Sequence, residues 1–196
     1  MTKLEEQILS GATTAQKKYM YMTGYWLDHA PEAFINTHVG LSAAGGEYFA
    51  YIDTSVKKLH ADIDSPHTRG RKVKFEKERP DVAIWYKSKS RIYAIVETKK
   101  TYNSSPLKKD IIKLKKHLSH SKSAKYGYLL VHTTNGAKGE SPENALIRLT
   151  AKLKRWEKHL GVLLVGHNVC KKTEAYFNEK TGRCWVWGIA LYRYER

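Results

Sequence analysis

An α/β fold, a mixed central β-sheet flanked by helices, is predicted by three observations. Short β-branched and aromatic runs alternate with longer segments whose leucines recur at helical spacing. Two such runs, 79–86 and 91–100, are separated only by Lys87-Ser88-Lys89-Ser90, which reads as a β-hairpin. A third run, 125–133, is almost continuously apolar, as expected of a central strand covered on both faces. With 196 residues and a hydrophobic share of 41%, the chain has enough apolar material for one core and reads as a single domain.

Three regions divide that domain: an N-terminal helical arm (1–29), a core (30–170) and a C-terminal hairpin (171–196). Gly11 and Gly24 interrupt the arm, and Tyr19, Met20, Tyr21, Met22, Tyr25 and Trp26 crowd its second half. That surface suits packing over the core edge; a dimer contact or a base-stacking surface is the competing reading. Pro31 opens the next helix, where Glu32 meets the positive end of the dipole. Phe34, Ile35, His38, Val39 and Ser42 form its stripe, and Gly45-Gly46 ends it.

Residues 47–56 read as a strand from their aromatic content, although Ile52, Val56 and Leu59 also keep a helical spacing. A polar loop follows to residue 79, with a short strand at 72–75. Past the hairpin, Leu107, Ile111, Leu114 and Leu118 mark a helix whose other side carries Lys108, Lys109, Lys113, Lys115 and Lys116. Asn135-Gly136 and Gly139 mark a loop after the central strand. Ser141 and Pro142 then start a helix with a face of Leu146, Leu149, Leu153, Trp156 and Leu160. Residues 161–166 read as another buried strand. The closing hairpin turns at 178–182 and shows Trp185 and Trp187 on one face.

Charge narrows the partner. Lys and Arg number 35 against 19 Asp and Glu, a net +16, which attracts a polyanion. No basic amphipathic helix stands apart from the core, and no apolar run is long enough to span a bilayer, so nucleic acid is expected rather than a membrane. Cys170 and Cys184 lack zinc-ligand spacing and read as free thiols of a reducing, cytoplasmic compartment. Arg69, Arg71, Lys72 and Lys74, just before the hairpin, and Lys108, Lys109 and Lys113, just after it, are candidate phosphate contacts.

The hairpin carries ionisable groups where strands ought to be apolar. Asp81 starts the first strand; Glu97 and Lys99 end the second. Strict alternation puts Glu97 and Lys99 on one face with Tyr93 and Ile95, and Ile92, Ala94, Val96 and Thr98 on the other. Two carboxylates can hold a hard cation such as Mg²⁺ or Mn²⁺ with positions left for water and phosphate, and a nearby ammonium can steady the phosphate. Metal-dependent phosphodiester hydrolysis uses that set; an ordinary salt bridge across a strand end is the bland alternative. A shared site needs Asp81 opposite Glu97. Pairing Tyr86 with Arg91 would part them, so either Lys87 lies opposite Arg91 or a bulge intervenes.

Pro80-Asp81 followed by Glu97-Thr98-Lys99 resembles the signature of the PD-(D/E)XK nuclease superfamily. The resemblance implies a restriction-endonuclease-like core and a Mg²⁺- or Mn²⁺-dependent endonuclease acting on nucleic acid, most readily DNA. It makes Asp81 and Glu97 metal ligands, with the carbonyl of Thr98 completing the shell, and Lys99 catalytic. It also implies an extra acid on the helix before the sheet, Glu32, with Glu47 as competitor. A homodimer follows if both strands of a duplex are cut. Two alternatives stay open: a binding protein without turnover on the same scaffold, and a subunit of a larger defence, repair or mobile-element complex.

Overall fold

The computed structural model describes residues 1–53, 79–88, 91–121, 123–170 and 182–196. Among the described residues six strands form one mixed sheet: β1 (Tyr48–Ile52), β2 (Val82–Tyr86), β3 (Arg91–Lys100), β4 (Tyr126–Lys138), β5 (Leu163–Cys170) and β6 (Arg183–Glu195). Their order is β1-β2-β3-β4-β6-β5, with β3 and β4 parallel and every other neighbouring pair antiparallel. Helices α1 (Lys3–Thr23) and α2 (Glu32–Ala43) cover one face; α3 (Leu107–His120) and α4 (Pro142–Leu160) cover the other. Among the described residues no helix is long and apolar enough to cross a membrane.

Helix ends follow their sequence signals. Thr2 and Glu5 form a reciprocal capping box at the start of α1, and Ser141 caps α4 ahead of Pro142. The predicted face of α3 is the buried one, Leu107, Ile111, Leu114 and Leu118, and that of α4 is buried at Leu149, Leu153, Trp156 and Leu160, but Leu146 is only half-buried and Ala145 takes its place in the core. Strand β4 is buried on both faces from Tyr126 to Thr134, as a central strand should be.

Three expectations need correction. Gly11 does not interrupt α1. It lies where α2 crosses so closely that a Cβ would sit 2.6 Å from the His38 carbonyl oxygen and 2.8 Å from Val39 Cα. Only Gly24, at φ 73°, ends the helix. Asn135-Gly136 is not a loop: β4 runs on to Lys138 beside β6, and Gly136 is needed because a Cβ there would collide with the Trp185 ring. The run at 161–166 is not a buried strand. Gly161 caps α4, and β5 begins at Leu163, 55% exposed, on the sheet edge. An apolar run alone does not distinguish an edge from a centre.

The terminal regions also belong to the core. Leu4, Ile8 and Ala12 of α1 are buried against the sheet. Strand β6 fills the gap between β4 and β5, with Val186, Trp187, Ile189 and Leu191 buried. Of the closing hairpin's predicted arms, residues 174–177 lie outside the described residues, as does the short strand at 72–75.

Candidate active site

Register brings the site together, through a bulge. Tyr86 does pair with Arg91, the arrangement that would separate the acids. Trp85 then pairs with Ile92 but Ile84 with Ala94, leaving Tyr93 as an extra residue. Beyond it Val82 faces Val96, so the next position places Asp81 opposite Glu97. The bulge also corrects the faces. Ile92 and Ile95 lie on the α3 side, whereas Tyr93 joins Ala94 and Val96 on the α1–α2 side, stacked on Tyr48 with ring centroids 5.1 Å apart.

Asp81 sits just before β2. Its Oδ2 accepts from the Thr98 backbone N–H at 2.7 Å. A strand residue sends its N–H and C=O to the same side, so the Thr98 carbonyl also points past the end of β2, toward Asp81. Glu97 is 2% exposed. Its Oε2 accepts from Lys113 Nζ at 2.7 Å, and its Oε1 is buried without a hydrogen-bond partner. Lys99 Nζ lies 3.6 Å from Glu32 Oε1, which also accepts from the Lys100 backbone N–H at 3.4 Å. Glu32 is thus delivered by the first turn of α2 to the same sheet end. Glu47 is not: its carbonyl accepts from Lys87 N–H at the opposite end of the hairpin.

Helix α3 adds two members that the strand pattern does not reveal. Asp110 and Lys113, one turn apart on α3, face the strand end. Asp110 interacts electrostatically with Lys99, Lys113, Asp81 and Glu32, and its Oδ2 is buried without a partner. Helical spacing puts Lys113 with the outward lysines, but it is largely covered and its ammonium is committed to Glu97. The available signal was Asp110 itself, a lone acid on a lysine-rich helix. Lys108 and Lys109 are exposed, as a phosphate-contacting surface requires. Arg69, Arg71, Lys72 and Lys74 lie outside the described residues.

Burial raises the carboxyl pKa of Asp81, Glu97 and Asp110. For Glu97 it reaches about 8, because burial, with the Asp81 charge, outweighs the Lys113 ammonium. Clustered acids that favour protons over their own charge also favour a cation that would neutralise them.

Among the described residues, no three His, Cys, Asp or Glu side chains converge closely enough to hold a metal by themselves. One or two carboxylates suffice for Mg²⁺, which keeps much of its water. Asp81, the unpartnered Oε1 of Glu97 and the Thr98 carbonyl are oxygen donors of that kind. The donor set fits a hard divalent cation.

The chain matches no protein family, no curated protein and no solved structure.

Proposed function

We propose that the protein is a metal-dependent nuclease, an endonuclease acting most readily on DNA, with a restriction-endonuclease-like core. The observation that carries this reading is the bulged register that sets Asp81 opposite Glu97, with Lys99 two residues on. A bound Mg²⁺ or Mn²⁺ would polarise the phosphate and lower the pKa of a bound water. Asp81 and Glu97 would hold that ion with the Thr98 carbonyl. Lys99 would orient the water and offset charge developing on the phosphate, while Glu32 keeps the ammonium at the sheet end. The net charge of +16 and exposed Lys108 and Lys109 would hold the backbone.

Cleavage of supercoiled, linear, single-stranded and branched DNA, with and without Mg²⁺ or Mn²⁺, tests the reading. Asp81→Asn and Glu97→Gln should cut orders of magnitude more slowly while binding DNA at least as tightly in metal-free buffer. Lys99→Ala should lose about 10²–10³ in rate, the usual cost of one electrostatic contact to a transition state. A wild type that cuts none of these substrates, or variants that cut as it does, would leave a binding protein instead.

A further inference from the structure

The acid cluster carries its own cation in an informative place. Among the described residues, the charges that act most strongly on Asp81, Glu97 and Asp110 belong to one set: those three acids, Glu32, Lys99 and Lys113. Its two ammoniums are not equivalent. Lys99 is held by Glu32 of α2, at 3.6 Å. Lys113 reaches in from α3 to 2.7 Å from Glu97 Oε2. It is the leading charge on Glu97, and it acts on Asp81 more strongly than Lys99 does. The ammonium of the Asp81–Glu97 pair is therefore Lys113, supplied by a helix and not by the strand motif.

Charge limits what else the set can take. With all four acids ionised, the two ammoniums leave two negative charges unmet, which is the charge of one divalent ion.

Geometry leads to the same count. In two-metal phosphodiester sites the ions lie about 3.5–4 Å apart. One carboxylate can bridge ions at that spacing, with an oxygen on each. Glu97 is the most enclosed of the four acids, at 2% exposure. A Mg²⁺ on its Oε2 would sit about 2.1 Å from that oxygen. The Lys113 ammonium already stands on that oxygen, and two cations cannot share so enclosed an approach. Its delivery is fixed, because Leu107, Ile111 and Leu114 hold α3 against the sheet. The ammonium is not sealed off, since the Lys113 side chain is 22% exposed. Of its three N–H donors Glu97 takes one, which leaves two for a phosphate oxygen.

We propose that Lys113 stands in for the second cation of a two-metal site: it occupies the Oε2 side of Glu97, so the cluster takes one divalent ion, and it offers its remaining donors to the phosphate. This rests on the nuclease reading above and adds a residue and an ion count to it. A strut that only ties α3 to β3 is the competing role.

Mn²⁺ binding, followed by titration calorimetry and electron paramagnetic resonance in buffer above the Glu97 pKa of about 8, tests the proposal. The wild type should bind one ion per chain. Lys113→Ala and Lys113→Gln should each bind two, and spins about 3.5–4 Å apart should couple and broaden the spectrum of the isolated ion. Lys113→Arg, which keeps the charge and the donor, should stay at one. Lys99→Ala should also stay at one, because Oε2 remains taken. Cooperative thermal unfolding in Mn²⁺ establishes that each variant is folded. Two ions in the wild type, one ion in both Lys113→Ala and Lys113→Gln, or two in Lys99→Ala would overturn the proposal while leaving metal-dependent cleavage intact. The expected counts in a protein that cuts nothing would sink the nuclease reading and keep the place of Lys113. A wild type that binds no Mn²⁺ would overturn both.

Discussion

Glu97 is where opposing demands meet. Its carboxyl is buried, one oxygen is held by Lys113, and the other has no donor. Burial raises its folded-state pKa from 4.5 to about 8. A raised carboxyl pKa contributes stability that is fully present below pH 4.5 and is lost as pH rises toward 8. Metal-free protein should therefore lose stability from this group across that window, and Glu97→Gln should flatten the decline in thermal midpoint between pH 5 and pH 8.5. A wild-type slope kept in the variant would mean that Glu97 is ionised throughout. Divalent cation should restore more stability at pH 8.5 than at pH 6, because protons then compete less for the same oxygens.

Helix α3 divides its lysines between two tasks that periodicity alone did not separate. Lys108 and Lys109 face outward; Lys113 sits one turn beyond Asp110 and turns in to the strand end. Replacing Lys108 and Lys109 with Ala should flatten the slope of log affinity against log salt by about 2, since each phosphate contact contributes roughly 0.9. Lys113→Ala should leave most of that slope and instead leave Glu97 without its counter-charge. If Lys113→Ala changes the slope as much as an outward lysine does, the helix is rotated from the orientation described. The hairpin shows the same limit of sequence reading. Strand geometry says only that a shared site needs Asp81 opposite Glu97, and that a bulge is required for it if Tyr86 pairs with Arg91. It does not place the extra residue at Tyr93, because the choice depends on Tyr48 and Tyr126, which reach that ring from other strands. Likewise Glu32 against Glu47 is decided by which end of β2 each element meets, a tertiary fact.

Across the whole molecule, the first helix and the last strand share one buried polar junction. Glu5 of α1 is fully buried; its Oε1 accepts from Arg193 Nη1 at 2.9 Å and from the Tyr128 hydroxyl at 3.2 Å. Glu5→Ala strands a charged and a polar partner together. It should cost about 3 kcal/mol, the low end for breaking a buried pair, because Arg193 keeps some solvent and Glu195 at 2.9 Å. Denaturant unfolding would measure this; a change below about 1 kcal/mol would mean that water replaces the carboxylate. Sequence separated the chain into arm, core and hairpin because amphipathic arithmetic cannot see that residues 5 and 193 meet. The same junction bears on synthesis. A ribosome adds roughly 5–20 residues per second. After Tyr128 emerges, Arg193 follows on the order of 10 s later at the slower rate. Until then the edge of β4 that β6 will cover is bare, and Glu5 lacks its counter-charge. The nascent chain therefore carries both halves of the acid cluster well before it has the strand that closes the sheet, and it must be kept from pairing that open edge with a neighbour.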